Sequence, residues 1–236
     1  MKKHITVFSL TDKVRIDVAG CGGTGSQMLV ALARINHALV TLGGQGLVVR
    51  CYDPDVVSAA NCGRQAFYEV DLGHNKAEVL SSRLRLCFPD FNISGLAGSY
   101  DPRHGGYPYH YPQILITCVD SRKARRDIIS KRNSVYHIDC GNGENYGQVI
   151  LGAGTKELPW PEEAEPDLVA EGPEDDSPSC SMEEALSRQD LFVNDFAVRI
   201  CSCLLWDLLR YGGTDIAGAF YSTNPVRINP VLIEKE

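Results

Sequence analysis

Residues 14–26 read Val14-Arg15-Ile16-Asp17-Val18-Ala19-Gly20-Cys21-Gly22-Gly23-Thr24-Gly25-Ser26, and they decide the fold. Val14 to Ala19 alternates apolar and polar side chains and then meets glycines, which predicts a strand entering a tight turn. From Ser26 to residue 42 a helix follows, with Met28, Leu29, Leu32, Ile35 and Leu39 on one side. Glycines between a strand and a helix let the backbone approach a phosphate, and the first turn of the helix supplies free N–H groups. Gly20, Gly22, Gly23, Thr24, Gly25 and Ser26 are therefore candidate nucleotide-binding residues. Alone the loop fits NAD, FAD, S-adenosylmethionine or ATP.

The alternation continues outward. Residues 47–52 predict a second strand ending at Asp53, and residues 75–87 a helix stopped by Phe88-Pro89. Residues 91–97 and the apolar run 113–119, which ends at Asp120, predict two more strands. A helix is expected over 122–131, strands over 135–140 and 148–151, a long helix within 189–211, and closing strands over 217–221 and 226–232. Strand and helix alternating at this spacing predict an α/β, Rossmann-like fold. The expected sheet is mostly parallel, with helices on both faces and antiparallel C-terminal strands. The 236 residues suit one domain.

Composition excludes several classes. Apolar residues are 44% and charged residues 22%, ordinary for a globular chain. No apolar run approaches the roughly 18–20 residues of a membrane helix, and the N-terminus carries no secretion-signal pattern. The nine cysteines are odd in number and scattered, so reduced thiols and a cytoplasmic location are expected. The net charge is −7, yet residues 157–187 hold eleven acids and no Lys or Arg; without them, 19 acids face 23 bases. Residues 155–187, with five prolines, read as an acidic, Pro-rich mobile loop. Six bases fall within 122–132 and read as a solvated helix face, so no direct nucleic-acid binding is expected.

Further residues add chemistry to the glycine loop. Asp53-Pro54-Asp55 ends the second strand, where an acid can accept hydrogen bonds from ribose hydroxyls. Asp53 lies 28 residues after Gly25, against roughly 20 in dehydrogenases. Asn61-Cys62-Gly63-Arg64-Gln65 occupies a loop, and Lys76 sits in the first turn of a helix, against the macrodipole. An anionic ligand would explain that placement. Asp120 ends an apolar strand facing the ligand crevice, where a carboxylate beside phosphate oxygens is a natural Mg²⁺ ligand. Asp120 or Ser121 could equally cap the following helix.

This combination resembles the ThiF/MoeB/HesA family, the adenylating enzymes related to ubiquitin-activating enzymes. Residues 21–27, 57–65, 71–77 and 188–194 are most similar to the PRTRC-system ThiF proteins. The resemblance runs from about residue 14 to the C-terminus. It implies that the glycine loop binds ATP phosphates, Asp53 holds the ribose, Arg64 and Lys76 neutralise the triphosphate, and Gln65 is a further nucleotide-binding residue. It implies Mg²⁺ on Asp120, and Asp55 and Asn61 near the α-phosphate. It implies an adenylyltransferase that activates the C-terminal carboxylate of a ubiquitin-like carrier protein, with a conjugating-enzyme-like protein as a further partner and a homodimer as the assembly. Cys180 is the candidate for a thioester step. An oxidoreductase binding NAD or FAD, and a catalytically silent nucleotide-binding member of a complex, are the alternatives.

Two departures stand out. Many relatives hold zinc with two CxxC pairs, whereas Cys201 and Cys203 lie two apart on a helix and cannot share a face, so no zinc is expected. Many relatives also carry an N-terminal arginine, and residues 1–11 contain none; Lys13 or Arg15 is the available substitute.

Overall fold

The computed structural model describes residues 3–103, 113–172 and 182–233. Ten strands and six α-helices are assigned among them. A short strand, β1 (His4–Ile5), precedes β2 (Val14–Ala19), α1 (Gly23–Thr41) and β3 (Leu47–Asp53). Then come α2 (Lys76–Cys87), β4 (Asn92–Ala97), β5 (Ile114–Thr117), α3 (Arg122–Ser130) and β6 (Tyr136–Asn142). The chain continues through β7 (Tyr146–Gly152), α4 (Pro161–Ala164), α5 (Met182–Arg188) and α6 (Val193–Tyr211). It closes with β8 (Gly213–Thr214), β9 (Ile216–Thr223) and β10 (Val226–Leu232).

Eight strands form one sheet in the order β10-β9-β7-β6-β5-β2-β3-β4. The run from β4 to β6 is parallel, while β7, β9 and β10 add antiparallel. The predicted Rossmann-like sheet with antiparallel C-terminal strands is present. Because β2 pairs with β3 on one side and β5 on the other, the strand order reverses between β2 and β5. Their carboxyl ends therefore open a crevice. β1 pairs with β8 in a separate ribbon, which periodicity in so short a segment did not reveal.

The two faces differ in chemistry. Val14, Ile16 and Val18 of β2, Leu47, Val49 and Cys51 of β3, and Ile114 and Ile116 of β5 point to one side. There they join Met28, Leu32 and Ile35 of α1, Leu80 of α2 and Leu204 and Leu208 of α6 in the main core. The opposite face, under α3, has only a small apolar cluster of Ala19, Tyr52, Tyr100, Leu115 and Ile128.

The rest of that second face is charged. Arg50 forks onto Asp17, with Nε donating to Oδ1 at 2.8 Å and Nη2 to Oδ2 at 2.7 Å. The two residues are register partners on β3 and β2 and are 8% and 1% exposed. Arg125 of α3 donates through Nε to Asp139 of β6 at 2.9 Å. The basic run at 122–132 is therefore not simply a solvated face. Arg125 is buried, Arg126 donates to the carbonyls of Val169 and Ala170, and Arg132 meets Glu162 at 2.9 Å and stacks over Trp160. The acidic segment is thus partly docked where it is described: Leu158 and Pro161 are buried, and α4 with a 3₁₀ turn at Pro166–Val169 covers the ends of this cluster.

His137 lies in the same polar layer and is fully enclosed. Arg132 Nη1 faces its Nδ1 at 3.1 Å, and its Nε2 lies 3.0 Å from Thr117 Oγ1. Thr117 in turn donates to Asp139. Burial first, then the charges of Arg132 and Arg125, push the His137 pKa down to about 3, so the ring is neutral. Its ordinary value is 6.5, so the folded chain binds fewer protons than the unfolded chain between those limits. The stability this neutral ring contributes is complete above pH 6.5 and is lost as pH falls toward 3. The expected slope is roughly 1.4 kcal/mol per pH unit. Denaturant unfolding between pH 7 and 4 should show a shallower slope in His137→Gln; equal slopes would remove the histidine from the acid response.

Candidate nucleotide cleft

The expected helix start at Ser26 moves three residues earlier. Gly22 is the N-cap and α1 begins at Gly23, because Gly23-Thr24-Gly25 already has helical backbone. The loop's later residues therefore serve the helix as well as the turn. The first N–H groups of α1 have no acceptor within the helix and face the crevice.

The glycines divide by what a Cβ would meet. At Gly20, with φ +93°, a Cβ would lie 2.7 Å from the carbonyl oxygen of Cys118. At Gly25 it would lie 1.9 Å from the carbonyl oxygen of Gly20, and at Gly23 2.7 Å from the side chain of Asn194. At Gly22 it would meet nothing within 4 Å. Three of these glycines are required by the protein's own packing. Gly22 instead borders open space in the cleft.

That cleft has a volume of about 390 Å³, within the range of small-ligand sites. It straddles the carboxyl edge of the sheet. One end is lined by Ala19, Tyr52, Tyr100 and Ile128 from the second face, and the other by Thr24, Asn142, Gln189 and Asn194. Gly20, Gly22, Gly23, Asp53, Asp55, Arg64, Gln65, Lys76 and Asp120 also line it. Nearly all residues singled out from the sequence thus converge on one site. Gly25 and Ser26 stand behind the lining instead: Ser26 Oγ accepts from the Ala66 amide at 3.1 Å and fixes the Arg64 loop to α1. Asn61 is outside the lining as well, its Oδ1 accepting from the amide and hydroxyl of Ser58 in a 3₁₀ turn. Cys180 lies outside the described residues.

Each charged group has a structural reason for its place. Asp53 ends β3 and accepts the amides of Cys21 at 2.6 Å and Asp55 at 2.9 Å. A carboxylate has further lone pairs, so it can still accept from a ligand. Burial raises its pKa, opposed by the Cys21 amide and by Lys76. Asn75 caps α2 by accepting from Ala77 and Glu78, and its amide donates to the carbonyls of Asp53 and Asp55. This fixes Lys76, whose side chain is 9% exposed and whose Nζ meets Asp55 at 3.0 Å. Ser121, rather than Asp120, caps α3, leaving the Asp120 carboxylate exposed at the mouth of the cleft.

Asn142, Gln189 and Asn194 join the site without a role assigned to them from the sequence. Arg64 Nη1 donates to Gln189 Oε1 at 2.8 Å. Gln189 Nε2 donates to Asn142 Oδ1 at 3.0 Å, and Asn194 accepts from both Asn142 and Thr24. This amide chain couples the arginine to the glycine loop and to the start of α6. Gln189 and Asn194 belong to the stretch 188–194 that carries the family likeness, which was the available signal. Two buried atoms beside the chain have no hydrogen-bond partner among the described residues: Arg64 Nε and Gln65 Oε1. Each such atom costs about 1–3 kcal/mol while unmet. Burial also lowers the Arg64 pKa, opposed by Asp120. A cleft that presents an unmet donor, an unmet acceptor and open backbone at Gly22 is organised for a ligand.

The ThiF family model matches residues 10–229. The chain belongs to the ThiF family. Its fold is that of solved structures with low sequence identity. E. coli MccB solved with MccA has a TM-score of 0.64 and 16% identity, over 96% of this chain and 66% of that one. PaaA has a TM-score of 0.64 and 16% identity, over 94% and 65%. E. coli MccB solved with ATP has a TM-score of 0.60 and 17% identity, over 96% and 66%. This ThiF-family chain thus spans just under two thirds of the length of those proteins. No curated protein matches its sequence significantly. Among the described residues no group of three or more His, Cys, Asp or Glu is arranged to hold a metal, and no helix is long and apolar enough to cross a membrane.

Proposed function

We propose that this ThiF-family chain binds ATP in the cleft and adenylates a carboxylate of a peptide or protein. One observation carries the reading: Gly22, Asp53, Arg64, Lys76 and Asp120, distant in sequence, line a single cleft at the point where the strand order reverses. A dinucleotide-binding site would use the glycine loop and an acid like Asp53 but would leave the buried Lys76, the half-buried Arg64 and Asp120 without a task. Membership of the family, and the likeness to MccB solved with ATP and with MccA, support it.

In this reading the adenine ring lies at the apolar end, against Tyr52, Tyr100 and Ile128. Asp53 accepts the ribose hydroxyls through its remaining lone pairs. The phosphates follow the open surface over Gly22 and the first amides of α1. Lys76 and Arg64 meet the charge that develops as a carboxylate oxygen attacks the α-phosphorus and pyrophosphate departs. An acyl-adenylate results. Asp120, an exposed carboxylate at the cleft mouth, would hold Mg²⁺, which neutralises phosphate oxygens when bound. The finer assignment follows the resemblance: a ubiquitin-like carrier as substrate in a PRTRC-type cassette, a conjugating-enzyme-like partner, a homodimer, and action in the cytoplasm. Cys180 is the candidate thioester-forming residue.

Thermal unfolding with ATP and Mg²⁺, NAD⁺ or FAD tests the reading. ATP with Mg²⁺ at about 100 times its Kd should add roughly 2.7 kcal/mol of stability. Asp120→Asn should remove most of the Mg²⁺-dependent part. Stabilisation by NAD⁺ or FAD alone would overturn the adenylation reading.

A further inference from the structure

We propose that Gln65 is a specificity-determining residue that reads the last peptide group of the carboxylate substrate, its Oε1 accepting that group's N–H. This rests on the adenylation reading and assigns Gln65 to the peptide rather than to the nucleotide.

The argument is an inventory of donors and acceptors. Gln65 Oε1 is a buried acceptor without a partner, in the lining of the cleft. Such an oxygen needs a donor. The triphosphate presents only acceptors at neutral pH, so the phosphates cannot satisfy it. The ribose hydroxyls are donors, but the carboxylate suited to them is Asp53, at the end of β3. The exocyclic amine of adenine is a donor, but the aromatic end of the cleft belongs to the opposite face of the sheet.

Gln65 is held at the other end. Its amide donates to the Asn61 carbonyl at 3.0 Å, and the next amide, Ala66, donates to Ser26 Oγ in α1. Arg64, immediately before it, is tied through Gln189 to Asn142 at the end of β6, beside the antiparallel extension of the sheet. A substrate carboxylate must reach the α-phosphorus from outside the nucleotide, and this is the polar end left to it. The chain that follows the carboxylate brings one N–H per residue. The unmet Arg64 Nε, a donor, stands one residue away from the unmet Gln65 Oε1, an acceptor. An unmet donor and an unmet acceptor on consecutive residues of one cleft-lining loop suit a peptide unit, which carries one of each.

The experiment needs no identified carrier. The probe is 5′-O-(N-glycylglycyl-sulfamoyl)adenosine, a stable mimic of a dipeptidyl adenylate. Its partner is the depsipeptide version, in which the last peptide N–H is replaced by an ester oxygen. Calorimetric Kd values for both, and for ATP, are measured on wild type, Gln65→Met and Gln65→Glu. Wild type should prefer the amide probe by about tenfold, the effect of one hydrogen bond to an otherwise unmet acceptor. Gln65→Met keeps the shape and lacks the acceptor, so the preference should vanish. Gln65→Glu keeps an acceptor, so the amide-to-ester ratio should persist whatever its charge does to overall affinity.

Equal binding of both probes to wild type overturns the proposal, with adenylation untouched. A Gln65→Met change that weakens ATP and both probes alike assigns the residue to the nucleotide or to the fold, and also overturns it. Failure of wild type to bind ATP overturns the adenylation reading and this inference with it.

Discussion

Gly22→Ala is expected to fold with little penalty and to lose nucleotide affinity by about 10- to 100-fold. The space a methyl group would enter there is empty of protein, since nothing lies within 4 Å of the added Cβ. Its cost to the fold is that of a poorer N-cap, about 1 kcal/mol. The cost to binding is the overlap with a phosphate that must lie against the backbone, about 1–3 kcal/mol. Gly25→Ala should do the reverse. Its Cβ would lie 1.9 Å from a backbone oxygen, which cannot move without breaking the turn. A stability loss of about 3 kcal/mol or more is expected, read as a fall in the denaturation midpoint. If Gly22→Ala binds ATP as wild type does, the phosphates do not cross the glycine turn.

Lys76→Met is the second large effect. ATP affinity should fall by about a hundredfold, the worth of charge-assisted hydrogen bonds to a phosphate. The fold should barely notice. Methionine retains the buried stem, and the ion-pair partner, Asp55, is 64% exposed, so that pair contributes little to stability. Titration with ATP beside a thermal melt separates the two. A Lys76→Met protein that melts normally and binds ATP normally would show that the lysine serves only α2 and Asp55.

Much of this was legible from the chain because parallel strands announce themselves. The apolar runs around Val18, Val49 and Ile116 end in Gly20, Asp53 and Asp120, and the crevice lies at those ends. Other features depend on partners far away in sequence. Arg64 needs Gln189, 125 residues on, and Thr24 needs Asn194, 170 residues on. Local spacing cannot reveal such pairs. The charged face under α3 was hidden for a related reason. Arg125 and Arg126 read as surface residues, and only the return of β6 and of the 160s segment turns them inward. The early start of α1 reflects glycine itself, whose poor helix propensity is overridden where close packing excludes a side chain.

The Asp17–Arg50 and Arg125–Asp139 pairs have a consequence for how the chain avoids folding wrongly. Parallel strands with apolar sequence can slide against one another at little cost, since one aliphatic neighbour is much like the next. Here Asp17 on β2 sits opposite Arg50 on β3, and Thr117 on β5 opposite Asp139 on β6. Side chains alternate faces, so a slip of one residue at β2 would carry the aspartate among the leucines of the main core, without its arginine. An unpaired buried charge is among the most costly defects a protein can hold, while the pair itself adds little over a well-packed apolar pair. These charges therefore act less on the energy of the correct sheet than on the energies of its near copies, which they keep high.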